Sequence, residues 1–164
     1  MPTIRTAALL LALTVPFANA AVAQSSPNQS DLRPGEYRLN VIEATDGDTL
    51  TIDAVPWILI PELARNVKIR VNGVDTPEKG WRGKCNQERD NAEAATAFTK
   101  RKMIETKNQV VIHDVKWDKY GGRILANVRL ANGEDLSTEL IEMGYATPYK
   151  GEGKKTDWCA DRPK

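Results

Sequence analysis

Histidine occurs once, as His113, and cysteine twice, as Cys85 and Cys159. The cysteines lack the paired spacing of a zinc site and the single imidazole adds little, so no zinc centre is expected. His113 falls inside an apparent strand and is read as a structural or surface residue. A dominant charge sign is also lacking: 23 Lys and Arg stand against 22 Asp and Glu, a formal net charge of +1. Arg5 is the only charged residue before Gln24, so without it the balance is 22 against 22, or zero. Bulk charge therefore exerts no pull on a polyanion, and any such partner must be held by local cations.

Long apolar runs are missing after residue 23. Before it, Arg5 precedes the apolar run 7–15, then Pro16, and both Ala18-Asn19-Ala20 and Ala21-Val22-Ala23 fit a small-residue cleavage site. The run is too short to cross a bilayer comfortably, so 1–23 reads as a secretory signal peptide and the mature chain as an exported protein, periplasmic or secreted, without a membrane anchor. In such a compartment an even pair of cysteines is expected to form a disulfide, Cys85 to Cys159. No protein partner is implied, and a monomer is expected.

The 164 residues suffice for one domain with extensions. Residues 24–34 are polar and read as a flexible leader, 35–150 as the folded domain, and 151–164 as a Gly/Lys-rich tail. Residues 37–44 partly alternate, and ATDGDTLTID then turns into a second strand, Asp-Gly between β-prone runs being a hairpin signal. PWILIP (56–61) is short and apolar, and 67–74 reads as a strand. The best helix candidate is 88–106, Ala-rich and free of Gly and Pro, with Ala94, Ala97, Phe98 and Ile104 as its expected apolar face. Strands over 109–117 and 123–130, a turn at Asn132-Gly133 and a helix over 135–143 stopped by Gly144 complete the pattern. This order predicts an α+β fold. Five such strands can close as a Greek-key barrel or remain an open sheet, and periodicity does not choose.

The chemistry gathers in three stretches. DGDT places Asp48 at a strand start, and RVNGVDTPEKG (70–80) ends a strand in Asp75-Thr76-Pro77-Glu78. Asp48 and Asp75 offer hard oxygen ligands for a divalent cation, with the Thr76 carbonyl as a third, while Pro77 fixes the turn that carries Glu78. Arg70 precedes Asp75 by five residues, an odd separation that sets them on opposite faces of an ideal strand; a bend must bring them together. WDKYGGR (117–123) is a tight turn presenting Arg123 at a strand edge. Singly, these pieces read as a polar turn, a helix start and surface arginines. Jointly, two arginines, a cation site and a free carboxylate form a phosphoryl-transfer set: the cations neutralise phosphate, and Glu78 orients or deprotonates water. Without His or Cys ligands, such a site favours Ca²⁺ over Zn²⁺. The loop KGWRGK adds Lys79, Arg82 and Lys84 around Trp81; it reads equally as a phosphate track with a stacking indole and as a solvated loop.

These motifs, in this order, resemble those of the thermonuclease family, the staphylococcal-nuclease-like nucleases, and helical EAATAFTK is similar too. The resemblance covers 37–149 and implies a five-stranded OB-fold barrel with packed helices that hydrolyses DNA and RNA with Ca²⁺. It implies calcium ligands at Asp48, Asp75 and the Thr76 carbonyl. It makes Arg70 the phosphate-binding arginine, Glu78 the general base and Arg123 the second arginine, near the leaving oxygen. Tyr149 is similar to a nucleotide-contacting tyrosine, and Tyr120 is placed beside a phosphate. Departures are the longer stretch around PWILIPELARN, an extra glycine before Arg123, the two cysteines, and a largely missing C-terminal helix. The alternative is a non-catalytic OB-type module that binds nucleic acid or protein; the complete side-chain set favours an enzyme. The tail has few apolar groups besides Trp158 with which to hold the barrel, which gives the expected disulfide a tethering role.

Overall fold

The computed structural model describes residues 32–160; the expected signal peptide and the expected leader up to residue 31 lie outside the described residues. The chain runs β1 (Tyr37–Asp46), β2 (Thr49–Ala54), α1 (Pro61–Ala64), β3 (Arg65–Val71), β4 (Val74–Asp75), α2 (Asn86–Glu105), β5 (Gln109–Trp117), β6 (Arg123–Leu130), α3 (Leu136–Glu142) and β7 (Thr147–Pro148). Five strands close into a barrel in the order β1-β2-β3-β6-β5, and β4 pairs with β7 outside it. The expected α+β barrel is therefore the fold, and closure decides against an open sheet. The β3–β6 pairing is parallel, with Arg70 opposite Leu125, and the other barrel pairings are antiparallel.

The core follows from period-two patterning. In β6, RILANVRL, the residues Ile124, Ala126, Val128 and Leu130 are buried, while Arg123, Leu125, Asn127 and Arg129 stay partly exposed. Leu50, Ile52, Ile69 and Ile112 meet them inside, and Leu136 and Leu140 of α3 seal one side. Asp135 caps α3 by accepting from the Thr138 amide at 3.0 Å, and Gly144 at φ +74 lets the chain leave it.

The long helix differs from its expected face. Ala94, Ala97 and Ile104 are exposed; of the four, only Phe98 is buried. The inward side is Glu88, Ala92, Ala95, Thr96, Thr99 and Met103. Close approach selects it: Thr99 Oγ1 donates to the Gly47 carbonyl at 2.6 Å, drawing the helix onto the β1–β2 turn. Only short side chains fit there. A Cβ on Gly47 would stand 2.8 Å from Ala95 Cβ and 3.0 Å from Thr76 Cγ2. Gly47 is thus required for proximity, whereas Gly73, at φ +84, supplies a left-handed turn between β3 and β4.

Candidate active site

Register places Arg70 beside Asp48. Thr49 opens β2 opposite Arg70, and the Val71 amide donates to the Asp48 carbonyl at 2.8 Å. The bend required to reach Asp75 is the Asn72-Gly73 turn, which splits the expected 67–74 strand into β3 and β4. Asp75 pairs with Thr147 of β7, and the Tyr149 amide donates to the Gly73 carbonyl at 2.8 Å, so the returning chain holds the bend shut.

Asp48, Asp75 and Thr76 are at least 96% buried. The Arg70 guanidinium contacts Asp48 Oδ1, lies 3.6 Å from Asp75 Oδ1 and donates to the Val74 carbonyl at 3.1 Å. Asp48 Oδ2 accepts from the Thr76 amide at 3.0 Å and from Thr76 Oγ1 at 2.7 Å. Thr76 therefore locks the Asp48 carboxylate through its amide and hydroxyl. Asp75 Oδ1 is buried without a well-aligned hydrogen bond, although cations stand at ion-pair distance. Burying two carboxylates together requires compensating positive charge, and Arg70 supplies part of it. Glu78 lies beyond Pro77, is about one-third exposed, and faces Arg82 Nε at 3.8 Å. Asp46 adds a further acid: burial first, and then the Asp48 charge, push its carboxyl up, against Lys79 and Arg82.

A groove of about 340 Å³ opens beside this cluster, lined among others by Arg70, Arg123, Tyr120, Tyr149, Lys116 and Lys119. Arg123 opens β6, and its Nε contacts the Asp118 carboxylate. Burial raises the Asp118 carboxyl, but the Arg123 hydrogen bond and charge outweigh this and hold it below its ordinary value. Tyr120 and Trp117 are mostly exposed along the rim.

The 79–84 loop does not join that groove. Trp81 is 92% exposed on a 3₁₀ turn, Gly80–Arg82. Lys79 donates to the Thr45 carbonyl at 3.3 Å and lies 3.9 Å from Glu93. Arg82 faces Glu78, and Lys84 is anchored by its backbone amide, which donates to Glu88 at 2.7 Å. His113 pairs with Asp114 at 3.0 Å on β5 and takes no part in the carboxylate cluster.

Two contributors escape a linear reading. Glu88, buried in the first turn of α2, accepts from the Lys84 amide and, at 3.4 Å, from the Glu78 amide, fixing the backbone that carries Glu78. Lys155, in the tail, sets its ammonium 2.8 Å from Asp75 Oδ1 and 3.1 Å from Glu78 Oε1. Only the capping-like Cys85-x-x-Glu88 spacing hints at the first. Nothing near Lys155 hints at the second, because it reaches the site from a tail that a disulfide between Cys85 and Cys159, 74 residues apart, joins to the start of α2. That bridge is present, with Trp158 buried beside it.

Among the described residues, no three His, Cys, Asp or Glu side chains form a ready-made metal cage; Arg70 and Lys155 stand among the carboxylates instead. No helix among them is long and apolar enough to cross a membrane.

Comparison with known proteins agrees with this geometry. The chain is similar to the protein named Endonuclease Htp3 of Saprolegnia parasitica (strain CBS 223.65), with 27% identity over 151 residues, covering 86% of this chain and 69% of that protein. The family described as Staphylococcal nuclease homologue matches residues 68–160, more than half of the chain and the part carrying Arg70, Asp75, Glu78, Arg123 and Lys155. With barrel, motifs and match in agreement, the chain belongs to the staphylococcal nuclease homologue family.

Proposed function

We propose that the protein is an exported nuclease that hydrolyses phosphodiester bonds of DNA and RNA with Ca²⁺. The observation carrying this reading is the convergence of buried Asp48 and Asp75 on Arg70, with Glu78 beside them and Arg123 in the adjoining groove. The family and the relative's name support nuclease activity; the metal, the residue roles and export are our reading.

The donor set fits a hard cation. Asp75 Oδ1 is buried and poorly hydrogen-bonded, Asp48 lies across Arg70 from it, and no thiolate or imidazole competes. Asp48, Asp75 and the Thr76 carbonyl would hold Ca²⁺, with Glu78 nearby. When bound, the ion supplies charge neutralisation at phosphate. The chain's own groups do the rest. Arg70 and Arg123 border one groove and can donate to non-bridging phosphate oxygens. Glu78, part-exposed, accepts the proton of the attacking water as the new P–O bond forms. The bond to the leaving oxygen then breaks with Arg123 countering its charge. Tyr120 and Tyr149 offer ring faces to bases.

Fluorogenic DNA and RNA should be cut in Ca²⁺ and spared in excess chelator. Undiminished cleavage with chelator would exclude the metal requirement. Tight binding of both polymers without cleavage would favour the non-catalytic module instead.

A further inference from the structure

The Lys155 ammonium donates a hydrogen bond to Glu78 and stands at ion-pair distance from Asp75, two carboxylates that the site has other uses for. It lies 2.8 Å from Asp75 Oδ1 and 3.1 Å from Glu78 Oε1, and it also borders the groove. Asp48, Asp75 and Glu78 carry three negative charges, and Arg70 returns one. Arg82 lies 3.8 Å from Glu78, and Lys155 is the cation that faces both Asp75 and Glu78. It does so from a segment with little else to hold it: Gly151, Gly153, Lys154 and Lys155 lie between Tyr149 and the bridge. The anchors of that segment are the Cys85–Cys159 bond, buried Trp158, the Lys119 ammonium on the Gly151 carbonyl, and the hydroxyl pair Thr147–Thr156 at 2.5 Å. Cys85 immediately precedes α2, whose Glu88 fixes the Glu78 backbone. The disulfide thus ties the tail to the element that positions Glu78.

An ammonium and a divalent cation cannot share Asp75 Oδ1. They would occupy the same space, and like charges a few ångströms apart repel. Unlike Arg70, which is only 14% exposed, the Lys155 side chain is 47% exposed and sits on a tail rather than in the barrel. It is the counter-ion that can leave.

We propose that Lys155 is a tail-borne latch that competes with the divalent cation for Asp75 and Glu78, delivered to them by the Cys85–Cys159 tether. The inference rests on the metal reading given under Proposed function, and it concerns binding rather than turnover. Its consequence is that Ca²⁺ must displace the ammonium, so the oxidised protein binds the ion more weakly than its oxygen donors alone would allow.

Calorimetric titration of Ca²⁺ into the intact protein, free of substrate, tests it. Lys155→Met should bind Ca²⁺ at least about fivefold more tightly than the wild type, the lower range of a typical coupling between ligands. Lys155→Arg should restore the weaker affinity. Cys85→Ser/Cys159→Ser should also bind more tightly than wild type, because the tail is then held less firmly. Circular dichroism on each variant confirms that the barrel is retained. Wild type and Lys155→Met binding Ca²⁺ with equal affinity would overturn the latch while leaving the metal site standing. Failure of both to bind would remove the metal reading and the latch with it. Tighter binding in Lys155→Met but unchanged binding in the serine pair would overturn the tether's part.

Discussion

Two stretches of this chain have nearly the same chemistry and different fates. KGWRGK (79–84) and WDKYGGR (117–123) each combine lysine, one arginine, two glycines and at least one large aromatic ring. The second forms the β5–β6 turn and lines the groove beside Arg70. The first stands on the far side of Glu78, with Trp81 in solvent and Lys79 turned back to the Thr45 carbonyl. Composition nominates both as nucleic-acid contacts. Topology separates them: the parallel β3–β6 pairing brings one turn beside Arg70, while Glu88 in the first turn of α2 ties the other to the helix. Of two basic, aromatic stretches, the fold gives only one a place in the groove's wall.

The comparison is broken or sharpened by paired substitutions. The largest contrast is expected between the arginines. Arg123→Ala should lower the cleavage rate by about 10²–10³, the cost of losing a strong transition-state donor, whereas Arg82→Ala should change it by less than about threefold, as befits a mostly exposed ion pair. Equal losses would erase the distinction. Arg70→Ala shares the rate loss and should also destabilise the fold by roughly 3–5 kcal/mol, since Asp48 would stay buried without its cation; urea melts separate that from a purely catalytic effect.

Next come the rings. Tyr120→Ala should weaken binding of a single-stranded oligonucleotide by about 1–3 kcal/mol if it stacks on a base, and Trp81→Ala should leave affinity nearly unchanged. Fluorescence anisotropy in chelator reads both without turnover, and a larger loss at Trp81 would make the loop the binding surface. The lysines are a smaller test. Replacing Lys116 and Lys119 with Gln should flatten the slope of log affinity against log salt by about one to two; the same change at Lys79 and Lys84 should flatten it less. The reverse order would restore the loop as a phosphate track.

The smallest effect is a pH dependence confined to the groove. The Asp118 carboxyl is held below its ordinary value of 3.8 in the folded protein. Its pairing with Arg123 therefore adds stability above that value, lost as pH falls through the lower folded value. Asp118→Asn should cost on the order of 1 kcal/mol near neutrality, and its denaturation curve should converge with wild type in strong acid. A deficit that persists undiminished in strong acid would mean that the loss is packing rather than charge.

Legibility followed the range of the interactions. Strands β5 and β6 match their expected spans because the signal is local in each, an apolar β-branched run in β5 and strict alternation in β6. The proposed catalytic side chains are recognisable as types, yet the contact between Arg70 and Asp75 is not, since it depends on Gly73 and on β7 arriving from far along the chain. The face of α2 was misjudged for a related reason. Hydrophobicity favours Ile104, but the barrel meets the helix at Gly47, where only Ala95 and threonines can approach. Cys85 and Cys159 could be paired by count, but what the bond delivers, Lys155 at Asp75, requires coordinates.

The parallel seam between β3 and β6 carries one more consequence, in the time domain. Helix α2 and strand β5 intervene between these strands, so the seam is a non-local contact, formed only after costly loop closure. Arg70 lies on one side of it and Arg123 on the other, and until they meet the groove has one wall. Arg70 meets Asp48 within the local β2–β3 pairing, but it shares a groove with Arg123 only when the barrel has closed.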